Sequence, residues 1–427
     1  MKVYKFGGAS INSIERLKSS AHIIKNSPGK ILVVVSAMGK TTNALEKVAE
    51  AFFNNEQKKA LELFEEIKTE HIELAKNILK QSFQTTLAEL RDIFTEVEWL
   101  LHDTPVKSFD YYYDQIVACG ELLSTIIFNK YLLEIGVNSK WTDIRDVIKT
   151  DNTFRSGNVM MEVVHQKIES VIIPIFEECN VLVTQGFIGS TDENESTTLG
   201  REGSDYSAAI LGAGLKAESV TIWKDVDAVM NADPRIFTDA EIIPFLSYAE
   251  IIEMAYYGAQ VIHPKTIKPL KNNNIPLFVK SFLDTSLPGT VINNDSQKKL
   301  PPIIIIKNNQ ALVSFKSSDY SFIEGSPYKK LIEILDSLNI KSNLSQHTAI
   351  SYLISIDYSE EKLIKLSEKI SALFEMNVEK DLQLITIRHY TPDTIEKLTL
   401  NKKIILEQKT PQTVQFLVKT TIDNYRQ

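Results

Sequence analysis

Five short apolar runs rich in β-branched residues constrain this chain more than any other feature. They are residues 2–8 ("KVYKFGG"), 30–37 ("KILVVVSA"), 180–189 ("NVLVTQGFIG"), 219–229 ("SVTIWKDVDAV") and 275–281 ("IPLFVKS"). A strand with one wet face alternates apolar and polar residues; these runs do not, so both faces must be covered. Helical patterns lie between them. Such an order predicts a three-layer α/β/α sandwich with a mostly parallel central sheet. Residues 43–104 are charged and helix-rich, and predict a helical hairpin on one flank. Residues 105–136, with apolar spacing near 3.6, predict one further long helix.

The glycines mark where this architecture stops. Fifteen of the sixteen lie at or before Gly289, and only Gly325 lies beyond. "SLPGTVINND" and "KKLPP" supply linker chemistry between about residues 290 and 302. The division expected is therefore a first domain over 1–292 and a second over 302–427. In the second, "IIIIKNNQALVSF", "AISYLISID", "DLQLITIRHY" and "TVQFLVKTT" read as strands. Between them, "SPYKKLIEILDSLN" and "SEEKLIKLSEKISALF" read as helices, the latter opened by Ser359 with glutamates in its first turn. Short β-α-β units of this kind predict ferredoxin-like modules.

Charge and cysteine usage narrow the function. A net charge of −8 and a pI near 5.6 argue against a nucleic-acid groove, which needs clustered excess Lys and Arg. Cys119 and Cys179 are far apart, have no zinc spacing, and each falls among residues that read as buried helix. The N-terminus lacks a signal core, and no uninterrupted apolar run reaches the about 18 residues a spanning helix needs. The expectation is a cytoplasmic protein with no membrane and no nucleic-acid partner.

Three strand ends open into polar, glycine-bearing loops, and open α/β sheets bind ligands beyond the carboxyl ends of their strands. "KFGGAS" places Gly7, Gly8 and Ser10 after a strand carrying Lys5; paired glycines let backbone N–H groups approach an anion. "VVVSAMGKTTN" opens into Ser36, Gly39, Thr41, Thr42 and Asn43. It is no Walker loop, because no glycine stands five residues before Gly39. "TTLGREGSDYSAA" sets Gly200 and Gly203 in a turn, with Ser204 or Asp205 as the helix cap and Arg201 unexplained. Further along, Glu121 interrupts an apolar helix, "WKDVDAVMNADPR" carries Lys224, Asp225, Asp233 and Arg235, and His263 precedes a proline as a helix-starting turn. No histidine is assigned an acid–base or metal role.

Seven motifs now stand in order: "KFGGAS", "VVVSAMGKTTN", "GELLS", "TQGFIG", "TTLGREGSDYSAA", "WKDVDAVMNADPR" and "GAQVIHP". Together they resemble the aspartokinases of the amino-acid kinase superfamily, over residues 1 to about 290, with a tail resembling paired ACT modules. The resemblance implies ATP- and Mg²⁺-dependent phosphorylation of the L-aspartate side chain to 4-phospho-L-aspartate, the entry to lysine, threonine, methionine and diaminopimelate. It implies Lys5, Gly7, Gly8 and Asp205 as catalytic. Ser36, Thr42, Glu121, Phe187, Arg201, Ser204 and Asp205 would hold aspartate. ATP would fall to Lys5, Gly8, Ser10, Lys224, Asp225, Met230, Arg235 and Gln260, with no side chain assigned to a metal. A homodimer or higher homo-oligomer, and a lysine or threonine effector at the ACT region, are likewise implied.

The chemistry agrees with those roles. An α-carboxylate suits a bidentate guanidinium, which Arg201 offers, and an ammonium suits the carboxylates of Glu121 and Asp205. The attacking carboxylate is ionised at neutral pH, so no general base is needed. Some positions depart from the usual pattern. Ala9 replaces a threonine, Met230 a tyrosine and Gln260 a lysine, and Ala349 in "QHTAIS" stands where lysine-sensitive members carry glutamate. The second ACT module also reads as shortened. A kinase for another amino acid such as glutamate, and an idle amino-acid sensor, are the competing readings.

Overall fold

A computed structural model describes all residues except 296–298, 318–321, 323–324, 372 and 421–427. The chain forms two compact units. The first comprises Met1–Val229, Ile242–Ala255 and Gln260–Gln297; the second comprises Met230–Glu241, Tyr256–Ala259 and Lys298–Gln427.

The strands of the first unit are β1 (Lys2–Phe6), β2 (Ile31–Val35), β3 (Ser139–Trp141), β4 (Val181–Gln185), β5 (Ile188–Ser190), β6 (Ser196–Thr198), β7 (Ser219–Lys224), β8 (Phe245–Ser247), β9 (Leu277–Ser281) and β10 (Thr290–Asn293). Eight make one sheet in the order β3-β4-β2-β1-β7-β9-β10-β8, and β5 and β6 form a separate hairpin. Every pairing is parallel except β9 with β10. From β1 the chain builds outward first on one side, through β2, β3 and β4, and later on the other, through β7 and β9. The strand order thus reverses at β1, the kind of position beyond whose carboxyl end open α/β sheets bind ligands.

The helices around this sheet are α1 (Ile14–Lys25), α2 (Thr41–Phe53), α3 (Gln57–Ile78), α4 (Phe83–His102), α5 (Phe109–Val117), α6 (Cys119–Glu134), α7 (Met161–Lys167), α8 (Ile173–Glu178), α9 (Gly203–Gly214), α10 (Tyr248–Tyr257) and α11 (Pro264–Asn272). Strand β2 and strand β4 are buried along their whole length, as their unbroken apolar runs require. Side chains alternate between the two faces. Tyr4 and Phe6 join the core built by α1 to α6. On the other face Gly212 of α9 lies so close to Val220 that an added Cβ would come within 2.5 Å of its side chain, with Val3 nearby. Lys5, two residues from Val3, shares that face.

Four local readings need correction. The predicted hairpin over 43–104 is α2 followed by the long pair α3 and α4. The predicted single helix over 105–136 is interrupted at Ala118, whose dihedrals of −56° and −27° remain helical. That segment is apolar and long enough to cross a membrane, but 83% of its apolar window is buried inside the protein, as in a core helix. The stretch read as linker in part forms β10, introduced by a turn at Gly289. Cys119 opens α6 as expected, whereas Cys179 follows α8 in an extended conformation; both are buried and free.

The second unit carries β11 (Ile303–Ser317), β12 (Leu344–His347), β13 (Ser351–Asp357), β14 (Phe374–Arg388), β15 (Lys402–Lys409) and β16 (Thr413–Thr420), with α12 (Ser326–Ser337), α13 (Glu360–Ile370) and α14 (Pro392–Thr399). One antiparallel sheet runs β12-β13-β11-β14-β16-β15. Helices α12 and α13 pack on its first half through Leu331, Leu335, Leu363 and Leu366. The second half is covered by α14, eight residues long, through Leu398. Ser359 caps α13, accepting from the Lys362 N–H, as its sequence predicts.

Candidate functional site

Three of the polar loops singled out in the sequence meet beyond the carboxyl ends of β1 and β2. They line a cleft of about 440 Å³ with Lys5, Gly8, Ser36, Ala37, Gly39, Thr42, Tyr113, Glu121, Arg155, Phe187, Thr198, Gly200, Arg201, Glu202, Gly203, Ser204 and Asp205. A larger groove, about 820 Å³, crosses the face of β1, β7 and β9, but it takes up none of these loops.

Lys5 leaves β1 on the α9 face, and its Nζ lies 2.7 Å from Asp205 Oδ1, both side chains being nearly buried. Gly7 makes room for this: a Cβ there would lie 3.3 Å from the Lys5 ammonium. Gly8 follows with backbone so close to the next loop that a Cβ would come within 2.7 Å of the Ala37 carbonyl and 2.9 Å of the Gly39 carbonyl. The Gly39 N–H donates to the Gly8 carbonyl, tying the loops after β1 and β2 together. Ser10 departs from its expected position. It is buried, its hydroxyl donates to the Trp223 carbonyl at 3.4 Å, and it is not among the cleft-lining residues.

The loop after β2 is fixed from α6. Ser36 Oγ donates to Ser204 Oγ at 2.9 Å, and Ser124 Oγ donates to the Ser36 carbonyl. The Ala37 N–H donates to Glu121 Oε1 at 3.2 Å, while Glu121 Oε2 is buried with no hydrogen-bond partner among the described residues. Burial pushes the Glu121 carboxyl up to about 8, against the opposing pull of the Ala37 hydrogen bond. A buried carboxyl with a vacant oxygen at the wall of a polar cleft is poised to meet a cation.

The loop before α9 corrects one expectation. Neither Ser204 nor Asp205 caps the helix. Glu202 holds the cap position in the left-handed region (φ +54°) without a side-chain cap, and Ser204 and Asp205 lie inside the first turn. Their side chains are thereby freed for Ser36 and Lys5. Gly200, at φ +74°, makes the preceding turn, and Arg201 beside it is exposed, with no ion pair among the described residues. Phe187, another left-handed residue (φ +73°), packs against Gly203 and donates its N–H to Ser207 Oγ.

Sequence reading missed the wall formed by α5. Asp114 is buried and accepts three hydrogen bonds: from the Arg155 N–H at 2.8 Å, the Thr198 N–H at 2.9 Å and the Thr198 hydroxyl at 2.7 Å. Burial still raises its carboxyl to about 6. It therefore pins both the Arg155 loop and the hairpin that leads into Arg201. The available signal was an aspartate in an otherwise apolar helical repeat, in "DYYYDQIVACG"; for Arg155, an isolated arginine in a polar loop, there was none.

The residues expected at ATP are more dispersed. In the first unit, Lys224 ends β7 and donates to the Val261 carbonyl, and Asp225 and Gln260 are exposed; none of the three lines the cleft. In the second unit, Met230 is half-buried, and Arg235 is 83% exposed and paired with Asp233 at 2.7 Å. His263 caps α11, accepting from the Lys265 N–H as expected. Among the described residues no cluster of three His, Cys, Asp or Glu is arranged to hold a metal ion.

Comparison with known proteins adds an independent line. The amino acid kinase family matches residues 1–281. Lysine-sensitive aspartokinase 3 of Escherichia coli (strain K12) is 31% identical over 397 residues, covering 90% of this chain and 86% of that protein. Aspartokinase 1, chloroplastic, of Arabidopsis thaliana is 31% identical over 405 residues, covering 90% and 70%. The crystal structure of E. coli aspartokinase III in complex with aspartate and ADP superposes with a TM-score of 0.80 at 28% identity, covering 98% of this chain and 96% of that one.

Proposed function

The chain belongs to the aspartokinases of the amino acid kinase family, and we propose a division of labour by which its cleft phosphorylates the side chain of L-aspartate with ATP. The observation that carries this reading is the pairing, in one cleft, of an ion-paired lysine at a diglycine loop with a buried glutamate and an arginine that has no ion pair among the described residues.

Aspartate brings three charges. Its α-carboxylate goes to Arg201, whose fork of donors meets no carboxylate among the described residues. Its ammonium goes to Glu121, which gives up its proton as the cation arrives. Asp205 is already engaged by Lys5, so it serves the phosphoryl side by holding that ammonium in place rather than by meeting the substrate's. The side-chain carboxylate is then left facing the loop of Gly7 and Gly8. It is a ready nucleophile, and the oxygen–phosphorus bond to ADP breaks as the new one forms. Catalysis rests on alignment and on neutralising the migrating phosphoryl by Lys5 and backbone N–H groups. Magnesium would come with the nucleotide as MgATP and would supply further positive charge against the phosphoryl group as it moves.

The second unit takes the regulatory role, with pairing of ACT sheets between two chains and an amino-acid effector such as lysine or threonine. The lysine-sensitive relative supports an effector in general. Ala349, in place of a glutamate, argues for a changed response. The cytoplasm is the expected compartment.

The test is a hydroxamate assay with ATP, Mg²⁺ and either aspartate or glutamate, repeated with lysine, threonine and both. Turnover with aspartate alone is expected. Turnover with glutamate instead, or with neither, overturns the reading.

A further inference from the structure

Arg155 adopts φ +64°, a left-handed conformation that a long side chain reaches only at a cost of roughly 1 kcal/mol or more. The conformation is imposed from outside: the Asp114 carboxylate holds its N–H at 2.8 Å, and the Gly157 N–H donates to the Thr198 carbonyl. The result is to bring the Arg155 carbonyl against Gly200, where a Cβ would lie 3.3 Å from it, directly beside Arg201. Both arginines line the same cleft.

The guanidinium of Arg155 is held but not saturated. It lies 4.4 Å from the Tyr113 ring centroid and 5.6 Å from that of Phe109, which fixes it by cation–π contact. Its carboxylate neighbours are loose, Asp110 at 3.4 Å and Glu46 at 3.6 Å, against about 2.7–2.9 Å for a well-made charged hydrogen bond. Donors of its five N–H groups are therefore available. In the cleft, Lys5 is neutralised by Asp205, leaving Arg155 and Arg201 as the cations for a carboxylate that accepts up to four hydrogen bonds.

We propose that Arg155 is a specificity-determining residue of this cleft, binding the α-carboxylate of the acceptor amino acid together with Arg201. The inference rests on the aspartate-kinase reading above and extends it. Two guanidinium groups on one carboxylate make the site intolerant of acceptors in which that carboxylate is neutral.

The fitting variant is Arg155→Gly, because glycine adopts the left-handed conformation without strain and so preserves the loop. Steady-state kinetics would use L-aspartate and its α-amide as acceptors with saturating MgATP, then varied MgATP, with Arg155→Lys alongside. Loss of a charged hydrogen bond predicts that Arg155→Gly raises the aspartate KM about tenfold or more. MgATP KM should stay within about twofold, the preference for aspartate over the α-amide should narrow, and Arg155→Lys should fall between. An unchanged aspartate KM, an unchanged preference, or an equal loss toward MgATP overturns the inference. A parent enzyme inactive toward aspartate overturns the underlying reading instead, so the two failures are distinguishable.

Discussion

Asp205 reaches back from the first turn of α9 to the end of β1, and its Oδ1 stands 2.7 Å from Lys5 Nζ with both side chains nearly buried. The pair exists because the left-handed Glu202 starts the helix one residue before Gly203, releasing Asp205 from capping. An ammonium held this way is aimed before the reactants arrive, which is where electrostatic catalysis has its advantage.

Lys5→Met should therefore lower kcat by about 10²-fold or more, the usual scale for removing one preorganised donor to developing charge. Asp205→Asn keeps the shape but frees the lysine, and should lower kcat while leaving the aspartate KM nearly unchanged. Steady-state kinetics on both variants decides the matter. If Asp205→Asn instead acts mainly on the aspartate KM, the carboxylate meets the substrate ammonium after all, as the sequence first suggested.

Arg201→Ala should raise the aspartate KM by roughly 10- to 100-fold, as expected for loss of a bidentate charged contact, with little change in ATP binding. Because Arg201 is exposed and has no ion pair among the described residues, its removal should leave the melting temperature within a degree or two. A large thermal shift with an unchanged KM would sink the assignment.

Glu121 makes stability depend on pH in a definite direction. Its carboxyl rises to about 8 in the folded chain against about 4.5 unfolded, so between those values the folded state binds more protons. Stability of the free enzyme should fall as pH rises from about 4.5 to 8, by at most about 1.4 kcal/mol per unit, and level off above. Glu121→Gln should flatten that part of the profile. Denaturant titrations across the range, parent against variant, test this. Aspartate binding should also release protons below pH 8, measurable as a buffer-dependent heat.

Much of this arrangement was legible because it depends on local chemistry. Continuous apolar runs announced β1, β2, β4, β7 and β9, and the glycines of "KFGGAS" and "TTLGREG" announced the close backbone approaches behind Lys5 and Arg201. Linker chemistry misled at residues 290–293, where tertiary pairing with β9 outweighed the turn propensity of the flanking residues. Capping chemistry misled at Ser204 and Asp205, where partners distant in sequence outbid the local backbone. Asp114 left a faint mark as an aspartate in an apolar helical repeat, but what it and Tyr113 do, and Arg155 altogether, were illegible for the same reason. Their meaning lies in hydrogen bonds and ring contacts between α5, the Arg155 loop and β6, which no local pattern encodes.

Asp114 offers the sharpest separation of architecture from chemistry. Its carboxylate is the shared acceptor for the Arg155 N–H and for both donors of Thr198, yet it does not line the cleft. Asp114→Ala strands three donors, the two of Thr198 buried and that of Arg155 partly so, and should cost on the order of 3 kcal/mol of stability. Asp114→Asn retains an acceptor oxygen and should cost less. Because burial raises the Asp114 carboxyl from about 3.8 to about 6, the charged form is the one the fold disfavours; stability should drop over that pH window, and Asp114→Asn should remove that drop. Its effect on catalysis should appear as a raised aspartate KM, since the loops it pins carry Arg155 and Arg201, with the pH dependence assigned to Glu121 intact. A variant that lost the slope up to pH 8 as well would mean that the two carboxyls titrate as one coupled system, joined through Tyr113, whose own hydroxyl is pushed up chiefly by burial and in part by nearby carboxylates that include Asp114 and Glu121.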